Sequence, residues 1–84
     1  MDLKEIEQLI ADGHIAEAEA ATGNADTPEA LYLRGRIAWK RGDRAAAISA
    51  YNAAAEADPE GPGAIALEQA RAIMDFFNHD LYNP

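Results

Sequence analysis

Apolar side chains recur at three- and four-residue steps along most of the 84-residue chain, the spacing of one face of an α-helix. Leu3, Ile6, Leu9 and Ile10 share such a face, with Asp2 placed to cap the segment and Glu5 three residues on, as in a capping box. Asp12-Gly13 ends it. A short second segment from His14 to about Thr22 is rich in alanine and glutamate, and Gly23, Asn24, Asp26 and Pro28 then break the chain. Thr27 followed by Pro28 reads as an N-cap with proline at the first helical position, where its missing N–H costs nothing, so a third helix runs to about Arg41. Asp43 caps a fourth, whose alanines favour helix and which carries Ala47, Ile48, Tyr51, Ala54 and Ala55 inward until Asp58-Pro59 stops it. Beyond the turn PEGPG a fifth helix spans about Ala64 to His79. No stretch of useful length alternates with period two, and β-branched residues are few. The pattern predicts an all-α chain of about five helices.

Turns this short force consecutive helices into antiparallel hairpins, and the residues that would meet are small. Gly35 and Ala47 let two backbones approach closely, Tyr51 fills the space beyond, and Leu31 plugs the open end. In this register residues 28–61, PEALYLRGRIAWKRGDRAAAISAYNAAAEADPEG, resemble one full tetratricopeptide repeat. The resemblance is carried by Leu31 as the hydrophobic plug, Gly35 as the glycine of the first helix and Gly42-Asp43 as the turn. Ala47, Tyr51, Ala54 and Pro59 continue it through the second helix. Two positions depart from the family pattern. Arg34 stands where a leucine is usual, with Leu33 displaced by one, and Ala38 stands where an aromatic is usual, with Trp39 displaced by one. The inner face of that helix is therefore expected to be rotated slightly or packed differently.

Both flanks carry reduced versions of the unit. Gly13 followed by Ala18 repeats the spacing of Gly42 and Ala47, so residues 1–27 read as a degenerate hairpin about five residues short. Residues 62–84 supply the next first helix without a second, which makes it the capping helix. The resemblance implies a single domain, a right-handed superhelical stack of about two and a half hairpins, and a function carried by shape: protein or peptide binding in a concave groove, as an adaptor or scaffold.

The spacing names the groove residues. On the third helix Glu29, Tyr32, Arg36, Trp39 and Lys40 recur at three- and four-residue steps on the face turned away from the fourth. Ala66, Ala70, Ile73 and Met74 of the fifth helix form the adjacent apolar wall. Arg36 and Lys40 would pair with carboxylates of a partner, while Tyr32 and Trp39 would supply rigid contact area. Some members of the family hold a C-terminal carboxylate with lysines and asparagines. Here Arg36 occupies the asparagine position and Tyr32 a lysine position, so that activity does not carry over.

Charge and composition narrow the reading. A formal charge of −8 opposes nucleic-acid binding, which needs a basic surface to release counterions. Five of the seven basic residues fall between Arg34 and Arg44, with acids on both flanks. The chain has no cysteine, and neither His14 nor His79 lies in a metal-ligand spacing, so no disulfide, metal or other cofactor is expected. No nucleophile has a partnered base, so an enzyme is not expected. No basic leader or membrane-length apolar run is present, and a cytoplasmic protein without membrane attachment is expected. Arg41-Gly42-Asp43 spells a tripeptide known from cell adhesion, but here it falls on the turn inside the repeat. The end of the chain, IMDFFNHDLYNP, gathers Ile73, Phe76, Phe77, Leu81 and Tyr82, which either fold back over the hairpins or bury themselves against another molecule, in a symmetric homodimer or as a tail placed in a neighbour's groove. The competing function is therefore a structural protein whose helices mainly mediate homo-oligomer assembly.

Overall fold

Capping chemistry accounts for where each helix begins and ends. The computed structural model describes the backbone of residues 2–82 and the side chains as far as Asp75. Helices α1 (Leu3–Ala11), α2 (Ile15–Thr22), α3 (Pro28–Lys40), α4 (Arg44–Ala57) and α5 (Pro62–Tyr82) follow one another, and no strand occurs among the described residues. The Asp2 carboxylate accepts from the Glu5 amide at 2.9 Å, the Thr27 hydroxyl from the Ala30 amide at 3.2 Å, and the Asp43 carboxylate from the Ala46 amide at 3.1 Å. Each satisfies one of the amides that a helix start leaves without a partner. Helix α5 starts at Pro62, two residues before the alanine-based expectation, because a second proline takes the first helical position as Pro28 does. It continues to Tyr82 rather than stopping at His79. Whether Phe76, Phe77, Leu81 and Tyr82 cover the hairpins or pair two copies falls outside the described side chains.

Two of the turns are copies of one another. Gly13 and Gly42 both have φ +85°, a left-handed conformation that glycine adopts without a side-chain penalty. The His14 amide donates to the Leu9 carbonyl and the Gly13 amide to that of Ile10. The Asp43 amide donates likewise to Ala38, and the Gly42 amide to Trp39. This pair of bonds closes a helix end in the Schellman manner. Five residues past each glycine, Ala18 and Ala47 are both fully buried.

The core draws on all five helices. Ile6 and Ile10 of α1, Ala18 of α2, Tyr32, Leu33 and Ile37 of α3, Ala47, Tyr51 and Ala54 of α4, and Leu67 and Ala70 of α5 form one buried cluster. Helix α3 sits at its centre and touches each of the other four. Its contact with α4 depends on Gly35, where a Cβ atom would lie 2.4 Å from the Tyr51 ring. A second close approach joins α4 to α5, where a Cβ on Gly63 would lie 2.4 Å from that of Ala54. Gly63 and Ala54 thus do for α4 and α5 what Gly35 does for α3 and α4.

Candidate functional site

Alternate helices α1, α3 and α5 touch in succession, and between them lies an open groove of about 410 Å³. Helix α3 contributes Tyr32, Arg36, Trp39 and Lys40. Ile10 and Ala11 of α1 border one side, Pro62, Ile65, Ala66, Gln69, Ala70 and Ile73 of α5 the other, and Tyr51 of α4 reaches the floor. Seven of the nine residues expected in the groove from the sequence therefore lie together. Glu29, exposed in the first turn of α3, and Met74, half-buried on α5, are not part of the lining.

The floor is aromatic and closely packed. The Tyr32 ring lies 6.1 Å from that of Tyr51 at a tilt of 31°, within the range of favourable aromatic pairs. Only 6% of Tyr32 is exposed, so it supports the groove and offers a ligand little of the contact area expected of it. Its hydroxyl accepts from Arg36 Nη1 at 3.4 Å. Burial raises the Tyr32 phenol above its ordinary range; the Arg36 charge opposes the rise, and the Glu7 carboxylate of α1 adds to it. The Tyr51 phenol is pushed up to about 12, chiefly by burial, which disfavours the phenolate. Trp39 is half-buried at the groove wall, with the Arg44 guanidinium 5.4 Å from its ring centre, a cation–π distance.

The basic cluster separates into two sets. Arg34 donates through Nη2 to the carbonyls of Gly23 at 3.1 Å and Ala25 at 2.5 Å, tying the loop between α2 and α3 to the helix. Arg41 donates to Glu19 of α2 through Nη1 and Nη2, at 2.8 and 2.5 Å. That bond keeps the Glu19 carboxyl below its usual range and raises Arg41. Arg44 lies over Trp39. Arg36 and Lys40, one helical turn apart on α3, are left at the groove, and neither makes an ion pair among the described residues.

Within Arg41-Gly42-Asp43 the arginine grips Glu19, the glycine turns the chain at positive φ, and the aspartate caps α4. All three serve the fold. His14 lies 3.8 Å from Glu17 on an exposed surface, and the described residues hold no cluster of three or more groups suited to a metal ion. No helix among them is long and apolar enough to cross a membrane.

Ile10 and Ala11 escaped the sequence reading although a signal for them was present. Gly13 and Gly42 stand 29 positions apart, and the same offset carries Trp39 and Lys40 onto Ile10 and Ala11. Tyr51 escaped because a side chain that fills the space beside Gly35 passes beneath α3 to the floor, a reach that spacing along one helix does not show. No protein-family profile matches the chain, and neither a curated protein nor a solved structure matches it significantly.

Proposed function

We propose that the protein is a small cytoplasmic adaptor, a stack of tetratricopeptide-like hairpins that binds a peptide or a segment of a partner protein in the groove between α1, α3 and α5. The observation that carries this reading is the groove itself: two cations on α3 face an apolar wall on α5, while every other cation of the basic cluster is engaged elsewhere. The repeated turn, the buried alanine five residues beyond it and the succession of alternate helices support the repeat architecture. Energetically the apolar wall matters most. Ile65 and Ile73 are 58% and 42% exposed, and covering a side chain of this size contributes up to about 1.5–3 kcal/mol. An exposed ion pair contributes about 1 kcal/mol or less, so the cations set orientation more than strength.

The test is affinity capture from the source cells with the wild-type chain and with the Arg36→Glu/Lys40→Glu chain as baits, both shown by circular dichroism to be folded. Partners enriched on the wild type and lost on the double variant are the expected result. Equal capture by both baits places the binding surface elsewhere. Sedimentation of the isolated protein addresses assembly as the competing function: a dimer that the double variant dissolves makes the groove a seam between copies. Trp39→Ala is a poorer probe, because Trp39 also packs against the core and its removal lowers stability together with binding.

A further inference from the structure

We infer that the groove takes an acidic–apolar peptide segment in one orientation, with two carboxylates about 6 Å apart over Arg36 and Lys40 and a bulky apolar side chain against Ile65 and Ile73. This deepens the groove reading above and rests on it. The chain has 15 acidic residues against 7 basic ones, so its overall field disfavours an acidic ligand, and any preference for one has to be local. The groove provides it. Arg36 spends one donor on the Tyr32 hydroxyl, leaving the rest of a five-donor fork able to hold a carboxylate. Lys40 is exposed one turn further along.

Polarity changes from helix to helix across the groove. By the 29-residue offset Glu7 of α1 occupies the position of Arg36 in α3, and its carboxylate is close enough to act on the Tyr32 phenol. On α5 the groove is bordered by Pro62, Ile65, Ala66, Ala70 and Ile73, with Gln69 the one polar side chain among the α5 lining residues. A crossing segment therefore meets the Ile10–Ala11 border of α1, with Glu7 outside the lining itself, then two cations, then an apolar wall. Glu7 repels a ligand carboxylate placed over α1, Arg36 and Lys40 attract one over α3, and Ile65 and Ile73 reward an aliphatic or aromatic side chain over α5. Repulsion at one edge and attraction at the centre together fix direction.

Selection of a displayed random-peptide library on the immobilised full-length chain tests this, followed by calorimetric titration of the enriched peptides made synthetically. Fluorescence of Trp39, the one tryptophan of the chain, reports on the groove during those titrations. The expected peptides carry a pair of Asp or Glu, two residues apart if extended or four apart if helical, beside Leu, Ile, Phe or Trp. Changing both acids to amides weakens them about tenfold, two exposed ion pairs' worth, and Lys40→Glu alone weakens them measurably without touching the floor. Selection on the Arg36→Glu/Lys40→Glu chain yields basic peptides instead. Enriched peptides that lack acids yet perturb Trp39 overturn the acidic preference and leave the groove reading standing. No enrichment, or a dimer that displaces every peptide and dissolves on charge reversal, overturns both.

Discussion

The hairpin α1–α2 and the hairpin α3–α4 close through the same turn and divide their bulk in opposite ways. Both turn glycines share φ +85° and both following alanines are fully buried. At the offset of 29, however, Ile6 stands where Gly35 stands, and Thr22 where Tyr51 stands. All four positions are buried. In the second hairpin the first helix is hollowed at Gly35 so that a tyrosine from α4 passes beneath it. In the first hairpin the bulk lies on α1 as Ile6, and α2 offers only Thr22, whose hydroxyl turns back to the Ala18 carbonyl at 2.7 Å. The turn is thus separable from the interface it serves. Only the hollowed version sends an aromatic to the groove floor, which is why the candidate site centres on α3.

The largest expected effect of breaking this contrast is Tyr51→Ala, which empties the space under Gly35 and should cost about 3–5 kcal/mol in urea unfolding. Thr22→Ala, at the matching position, should cost about 1 kcal/mol, the worth of one hydrogen bond. Equal costs would mean that the two hairpins do not differ in the way described. Gly35→Ala comes next, at about 1–3 kcal/mol from overpacking against the ring. Most of that loss should vanish in a Tyr51→Leu background, and a Gly35→Ala penalty unchanged there would put the clash somewhere other than Tyr51. Gly13→Ala and Gly42→Ala sharpen the shared part: each forces a Cβ into left-handed backbone at about 1–2 kcal/mol, with open space around both positions. Matching unfolding curves for the two are expected, and a clear inequality would show that one turn carries a strain the other lacks.

Features governed by neighbouring residues were legible in the sequence. Asp2, Thr27 and Asp43 cap the helices expected of them, and Gly13 and Gly42 turn the chain, because caps and turns depend on a few adjacent residues. The inward positions of α4, Ala47, Tyr51 and Ala54, were equally plain from their spacing. Helix α5 begins at Pro62 rather than Ala64 because proline is favoured at the first helical position, although it also stands among the turn residues PEGPG. Within the site, spacing placed Tyr32, Arg36, Trp39 and Lys40 on one helix face correctly. Whether a side chain on that face is open or covered depends on other helices: Tyr51 and α1 bury Tyr32, and no count along α3 reveals it. The same holds for Arg34, whose partners are carbonyls of the preceding loop.

Tyr51 gives the contrast a pH dependence. Its phenol is raised above the ordinary value of 10 to about 12 in the folded state, so folding favours the neutral form. The resulting stability is fully present below pH 10 and is lost as the pH rises toward 12, because the unfolded chain ionises first. Unfolding midpoints followed through this range should fall for the wild type and fall less for Tyr51→Phe. A wild-type curve that runs parallel to that of Tyr51→Phe would place the loss on other groups.

The smallest expected effect lies on the strap that joins the two hairpins, Arg41 to Glu19. Here the sign is reversed: the Glu19 carboxyl is held below its ordinary value of 4.5 by the guanidinium, so its contribution is present above that value and is lost as the pH falls through the lower folded-state one. Both side chains are about half exposed, and salt screens the pair, so the gap in melting temperature between wild type and Arg41→Gln should be slight. It should close in acid, and also in high salt at neutral pH. The same substitution leaves Gly42 and the Asp43 cap in place, and α4 should keep its helicity. Loss of that helicity in Arg41→Gln would mean that arginine, glycine and aspartate act here as one unit, and that the strap helps to form the turn rather than only bridging from it to α2.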